Sequence, residues 1–111
     1  MKGEKKMDKL KVDLFRYGTL VVGKVLHTPK KLRNRGEPEV VLGKLDSYKV
    51  ATCRSPAIVG LCLYVHGSST YWDDRTIYYD YGNETAADTA ISMFKLIIDE
   101  INKKLEKEEE K

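Results

Sequence analysis

Two hydrophobic periods meet at Asn83. Before it, apolar residues alternate with polar ones or form short blocks between turn signals; after it, they recur at helical spacing. The first stretch, residues 12–22, is rich in β-branched and aromatic side chains (Val12, Phe15, Tyr17, Thr19, Val21, Val22), with Gly18 read as a bulge or a close approach. Gly23 breaks that run and residues 24–28 continue into a second strand. Residues 39–45 and 48–53 are strand-like and are separated by Asp46-Ser47, which predicts a tight hairpin. Residues 58–66 form the most apolar strand and are placed at the centre of a sheet. A polar loop holding Tyr71 and Trp72 follows, and then residues 75–81 alternate cleanly: Ile77, Tyr79 and Tyr81 on one face, Thr76, Tyr78 and Asp80 on the other. Beyond Asn83, Ala87, Ala90, Phe94, Ile97, Ile98, Ile101 and Leu105 make one apolar stripe. Asn83 is one candidate N-cap; Thr85, with Asp88 three residues on, is the other.

The predicted fold is α+β: a curved antiparallel sheet of about six short strands followed by one long amphipathic C-terminal helix. A chain of 111 residues supports one core. Residues 1–11 read as a flexible basic arm, residues 12–105 as the domain, and residues 106–111 as a frayed charged tail. One helix covers one face of a sheet, so the tyrosine-bearing opposite face is left for water, a ligand or a second subunit, and a homodimer is expected. In topology alone, strands first and one helix last, this order is similar to small single-strand DNA-binding folds such as the Whirly-type proteins; no motif is shared.

Charge adds an asymmetry that the net +3 conceals. Residues 83–111 carry eight acids against five lysines, whereas the first 82 residues carry 15 basic against nine acidic side chains. An anion-binding surface is therefore expected on the sheet side. No apolar run approaches the roughly 20 residues of a spanning helix, and no apolar segment follows the charged N-terminus, so a cytoplasmic protein without membrane association is expected. Cys53 and Cys62 suit a reducing compartment, and their pairing is left open.

The densest chemical signal is Pro29-Lys30-Lys31-Leu32-Arg33-Asn34-Arg35-Gly36, four cations in eight residues. Like charges on one loop repel, and a phosphate, a nucleic-acid backbone or an acidic partner relieves them. Arg33 and Arg35 share a side of an extended loop and are spaced to fork onto neighbouring phosphates. The alternative is a solvated loop that serves solubility. Arg54, at a strand end, and Arg75 are further candidate contacts. Seven tyrosines and one tryptophan are many for this length, and five of the eight fall within residues 71–81. Rings beside cations suit bases that stack while phosphates meet Lys and Arg, which nominates Tyr71, Trp72 and Tyr78. The competing reading has these rings packing under the helix or in a dimer.

Catalytic and metal signatures are weak. Asp73-Asp74 with Asp80 resembles a paired-carboxylate site only in composition, since adjacent strand residues point to opposite faces. His27, Cys53, Cys62 and His66 lack zinc spacing. His66 near Ser68, Ser69 and Asp73 lacks a nucleophile elbow. There is no glycine-rich phosphate loop. The expectation is a non-enzymatic binding protein without metal or cofactor. Single-stranded nucleic acid is its first expected ligand. A small nucleotide signal, of the kind viruses sequester to blunt host defences, comes second, and a protein-interaction module third.

Overall fold

In the computed structural model the described residues are 8–32, 40–52, 61–65, 68–72 and 76–109. They form seven strands and one long helix: β1 (Lys11–Tyr17), β2 (Leu20–His27), β3 (Val41–Leu45), β4 (Tyr48–Thr52), β5 (Leu61–Val65), β6 (Ser68–Trp72), β7 (Ile77–Asp80) and α1 (Glu84–Glu109). The fold is α+β, as the two periods predict. The sheet is not single. β1-β2-β7 form one antiparallel sheet and β3-β4-β5-β6 another, and α1 packs on β1 and β2 of the first and on β3 and β4 of the second.

The first hairpin corrects the strand boundary. Its turn is Gly18-Thr19, with Tyr17 paired to Leu20 and Gly18 at φ 65°. A positive φ at the first of two loop residues is the backbone of a type II′ turn, whose twist matches the strands it joins. Gly18 is thus the turn residue, and Gly23, expected to break the run, sits inside β2 opposite Leu14 and Ile77. The expected hairpin at Asp46-Ser47 is present, with Asp46 at φ 55°, a conformation Asp tolerates better than most residues. β5 occupies an interior position of its sheet, as its apolar sequence predicts. Tyr71 and Trp72, expected in a loop, belong to β6, which pairs with β5 from Leu61 opposite Trp72 to Val65 opposite Ser68. Thr, Tyr and Trp favour that state over a loop.

The single sheet fails because β7 leads into α1 through only Tyr81, Gly82 and Asn83. It must lie where the helix begins, and it pairs with residues Leu20–Gly23 of β2. β2 also approaches β6 of the other sheet.

Asn83 is the N-cap: its Oδ1 accepts a hydrogen bond from the Ala86 N–H at 2.7 Å. The predicted stripe is buried in full, with Ile91 added, against Leu10, Leu14, Val21, Val25 and Val50. Phe94 is fully buried and meets the Tyr48 ring edge-on at 5.6 Å. The helix continues through Glu106 to Glu109, where a frayed tail was expected.

The start of the domain also differs from the expected flexible arm. Leu10 is buried and doubly hydrogen-bonded: its N–H donates to Asn102 Oδ1 at 2.8 Å, and Asn102 Nδ2 donates to its carbonyl at 3.0 Å. At the other end of β1, Arg16 reaches Asp88 and Glu84. β1 therefore lies along α1 in the opposite sense, pinned near both ends.

Candidate functional site

With Leu14 and Arg16 turned toward α1, the intervening residues of β1 must point away from it. The ladders then assemble an outer face residue by residue. Phe15 lies opposite Val22, and Val22 opposite Tyr78; Tyr17 lies opposite Leu20, and Leu20 opposite Asp80; Asp13 lies opposite Lys24. Phe15, Tyr17 and Tyr78 are 49%, 75% and 68% exposed. Adjacent strands are about 4.8 Å apart and alternate residues of one strand about 6.7 Å, so the three rings stand on a grid roughly 10 Å by 7 Å. Rings this exposed, grouped on one sheet face, are the exception that calls for a partner.

The reverse of the same sheet fixes the platform. Arg16 Nε donates to Asp88 Oδ1 at 2.6 Å, and its Nη1 sits 3.2 Å from Glu84 Oε1 and donates to the Gly18 carbonyl at 2.8 Å. Two carboxylates in the first turns of α1 also oppose the helix dipole, so one guanidinium ties the turn beside Tyr17 to the helix start. Tyr79 and Tyr81 meet edge-on at 4.9 Å, and Tyr81 packs against the core. Burial, helped by the neighbouring Tyr79 and Tyr48, pushes the Tyr81 phenol up to about 12, so it is neutral at physiological pH. Asp80 accepts from the Gly82 N–H at 2.9 Å. That bond, with a second from the Thr19 side chain, holds its carboxyl below the usual range and keeps it charged at the end of the face.

The charges of the face are balanced. Lys11 and Lys24 stand against Asp13 and Asp80, with His27 opposite Lys11. More cation follows β2, where the chain enters the basic segment. Lys30–Leu32 is a single tight 3-10 turn, not extended loop, closed by the Leu32 N–H donating to the Pro29 carbonyl at 3.0 Å. Its end is docked: Thr28 and Pro29 are buried, and Leu32 packs against the core. Asp8 pairs with His27 and accepts from the Lys30 N–H at 3.0 Å, so it clamps the turn to the end of β2.

Of the residues nominated from sequence, Tyr78 lies on the aromatic face. Lys30 and Lys31 lie on the turn beyond β2, whose last residue, His27, is already about 16 Å from the Tyr78 row at strand spacing. Tyr71 and Trp72 belong to the other sheet. Arg33, Arg35, Arg54 and Arg75 lie outside the described residues. Phe15 and Tyr17 were not nominated. The signal was there, in the alternation of Val12, Leu14 and Arg16 with Asp13, Phe15 and Tyr17, but extending the strand past Gly18 hid the hairpin that places Tyr78 beside them.

Among the described residues no three His, Cys, Asp or Glu side chains gather as a metal site requires, and no helix is long and apolar enough to cross a membrane. Comparison with protein families, characterised proteins and solved structures finds no match for the chain.

Proposed function

We propose that the protein binds single-stranded nucleic acid without catalysis, laying bases on the outer face of β1-β2-β7. The observation that carries this reading is the exposure of Phe15, Tyr17 and Tyr78 together on one sheet face. An unpaired base offers a π-face to any such ring, and stacking tolerates every base, which suits a surface with few groups for reading base edges. Lys11, Lys24 and, further on, Lys30 supply the attraction for phosphates. The reading thus moves the centre of recognition from the basic segment to the aromatic rows and leaves the lysines a supporting part.

The test is anisotropy of a labelled oligothymidine and a labelled oligouridine of about ten nucleotides, titrated at several salt concentrations. Each of Phe15→Ala and Tyr78→Ala should weaken binding about 5- to 150-fold, the equivalent of 1–3 kcal/mol per stacked base. Lys30→Ala should flatten the salt slope by about 0.7 if Lys30 neutralises one phosphate. No binding by the wild type, or wild-type affinity in both ring variants, sinks the reading.

The charge balance of the face favours a second reading, a protein partner, because interface centres are aromatic and poor in charge. That reading predicts no oligonucleotide binding, whatever the salt. The small-nucleotide alternative gains less support. Among the described residues, three hollows between α1 and the strands are lined by aliphatic, charged and amide side chains, with no ring to hold a base.

A further inference from the structure

The outward side of α1 carries a pattern that folding of a single copy does not use. Ile97, Ile98, Ile101 and Leu105 face the core, and Leu96, Asp99, Glu100, Lys103, Lys104 and Lys107 on the opposite side are solvent-facing. Leu96 is 53% exposed in the middle of the helix. It is not isolated. With Leu45 and Lys44 of β3, Glu100 and Lys103, it lines a groove of about 340 Å³ between helix and strand, and Val41 of β3 is exposed as well. Leaving these side chains in water forfeits roughly 25 cal/mol per Å² of apolar surface.

The charges beside Leu96 decide which partner fits. Two carboxylates precede two ammonium groups by one helical turn, in the order Asp99, Glu100, Lys103, Lys104. Such a run is complementary to itself when reversed. An axis midway between Ile101 and Asn102, perpendicular to the helix, brings Asp99 of one helix opposite Lys104 of another, and Glu100 opposite Lys103. The same axis brings Leu96 opposite Lys107, whose methylene stem can cover an apolar side chain while its head stays in water. Each contact then occurs twice, as in any two-fold interface.

We infer that two copies of this chain pair through α1, antiparallel about that axis, with the Asp99–Lys104 and Glu100–Lys103 contacts beside the axis and Leu96, covered by the stem of Lys107 from the other copy, with Leu45 at its flanks. Within one copy Glu100 already lies 3.6 Å from Lys103. That exposed contact is weak and exchangeable, and the rearrangement needs only a change of rotamer. The aromatic face lies on the far side of the sheet from the helix, so this pairing leaves it free; the inference does not depend on the function proposed above.

The experiment is light scattering and sedimentation equilibrium of the full chain from about 1 to 200 μM. The expected particle has twice the 12.7 kDa of one chain and dissociates more readily in high salt, because its ion pairs are exposed to solvent. Leu96→Lys should weaken the dimer about tenfold while circular dichroism stays unchanged, because it sets a second cation opposite Lys107 on both sides of the axis and the site is solvent-facing in the monomer. Glu100→Lys and Lys103→Glu should each weaken the dimer about tenfold, as two opposed pairs per dimer become like-charged. The double variant E100K/K103E should recover wild-type association, since the exchange restores opposite charges across the axis. A 12.7 kDa particle at all concentrations overturns the inference. So does a dimer indifferent to Leu96→Lys and the charge reversals, and if Phe15→Ala breaks that dimer the aromatic face is the interface instead.

Discussion

Gly43 shows how one missing methyl group sets the distance between two layers. A Cβ placed on it would lie 2.6 Å from Ile97 Cγ2 and 3.4 Å from Ile101 Cγ1. The strand register also shifts between Val41 and Gly43, so β3 bends where the helix rests closest on it. Ile97 is β-branched and nearly fully buried, so Cγ2 has little room to retreat. Gly43→Ala should destabilise the fold by about 1–3 kcal/mol, the usual range for overpacking. A urea melt should show a lower midpoint at an unchanged slope; an unmoved midpoint would mean that the layers are not in contact there. None of this was legible in the sequence. Gly43 reads as one residue of an ordinary strand, because its constraint comes from a helix more than fifty positions later. Gly18 reads as a bulge in sequence and is a turn in the structure: a glycine between two β-rich runs fits either, and only the pairing of Tyr17 with Leu20 separates them.

At the scale of elements the helix was the most legible part, since its period is local and its stripe needs no partner to be recognised. The choice of cap was less so. Asn83 and Thr85 both carry suitable side chains, and the decision follows from where β7 ends and Gly82, at φ 88°, turns the chain. Asn83→Ala should cost about 1 kcal/mol, and Asn83→Asp should keep the stability through the same bond and the helix dipole. Thr85→Ala should change thermal denaturation by no more than about 0.5 kcal/mol, as a surface substitution. Equal losses at positions 83 and 85 would contradict the cap. Strands were harder. Residues 75–81 alternate cleanly, and Tyr78 was read to its correct face; β6 is polar enough to pass for a loop. One ring of the three was therefore within reach. The grouping of Phe15 and Tyr17 with it depends on a pairing between β2 and β7 that spans more than fifty residues.

For the whole molecule, the division into two sheets is a long-range property, set by the short link from β7 to α1 and invisible to any local pattern. The helix unites the halves: Phe94 and Ile97 serve the β3–β4 side, and Asp88 and Asn102 hold β1. A further consequence follows from the clasp between Leu10 and Asn102. It brings the beginning of the fold to within seven helical residues of Glu109, a distance of about 10 Å at helical rise. Order in the chain and order in space are therefore separable here. A loop of about six glycine and serine residues, spanning roughly 12–15 Å on average, can join Glu109 to Asp8, and the backbone can be cut instead between Asp46 and Ser47, an exposed tip where Asp46 holds a left-handed conformation. Such a circular permutant should fold with the helix content of the parent and a denaturation midpoint within a few degrees of it, measured by far-ultraviolet circular dichroism. It would begin with β4 and end with β3, turning the hairpin partners into the two ends of the chain.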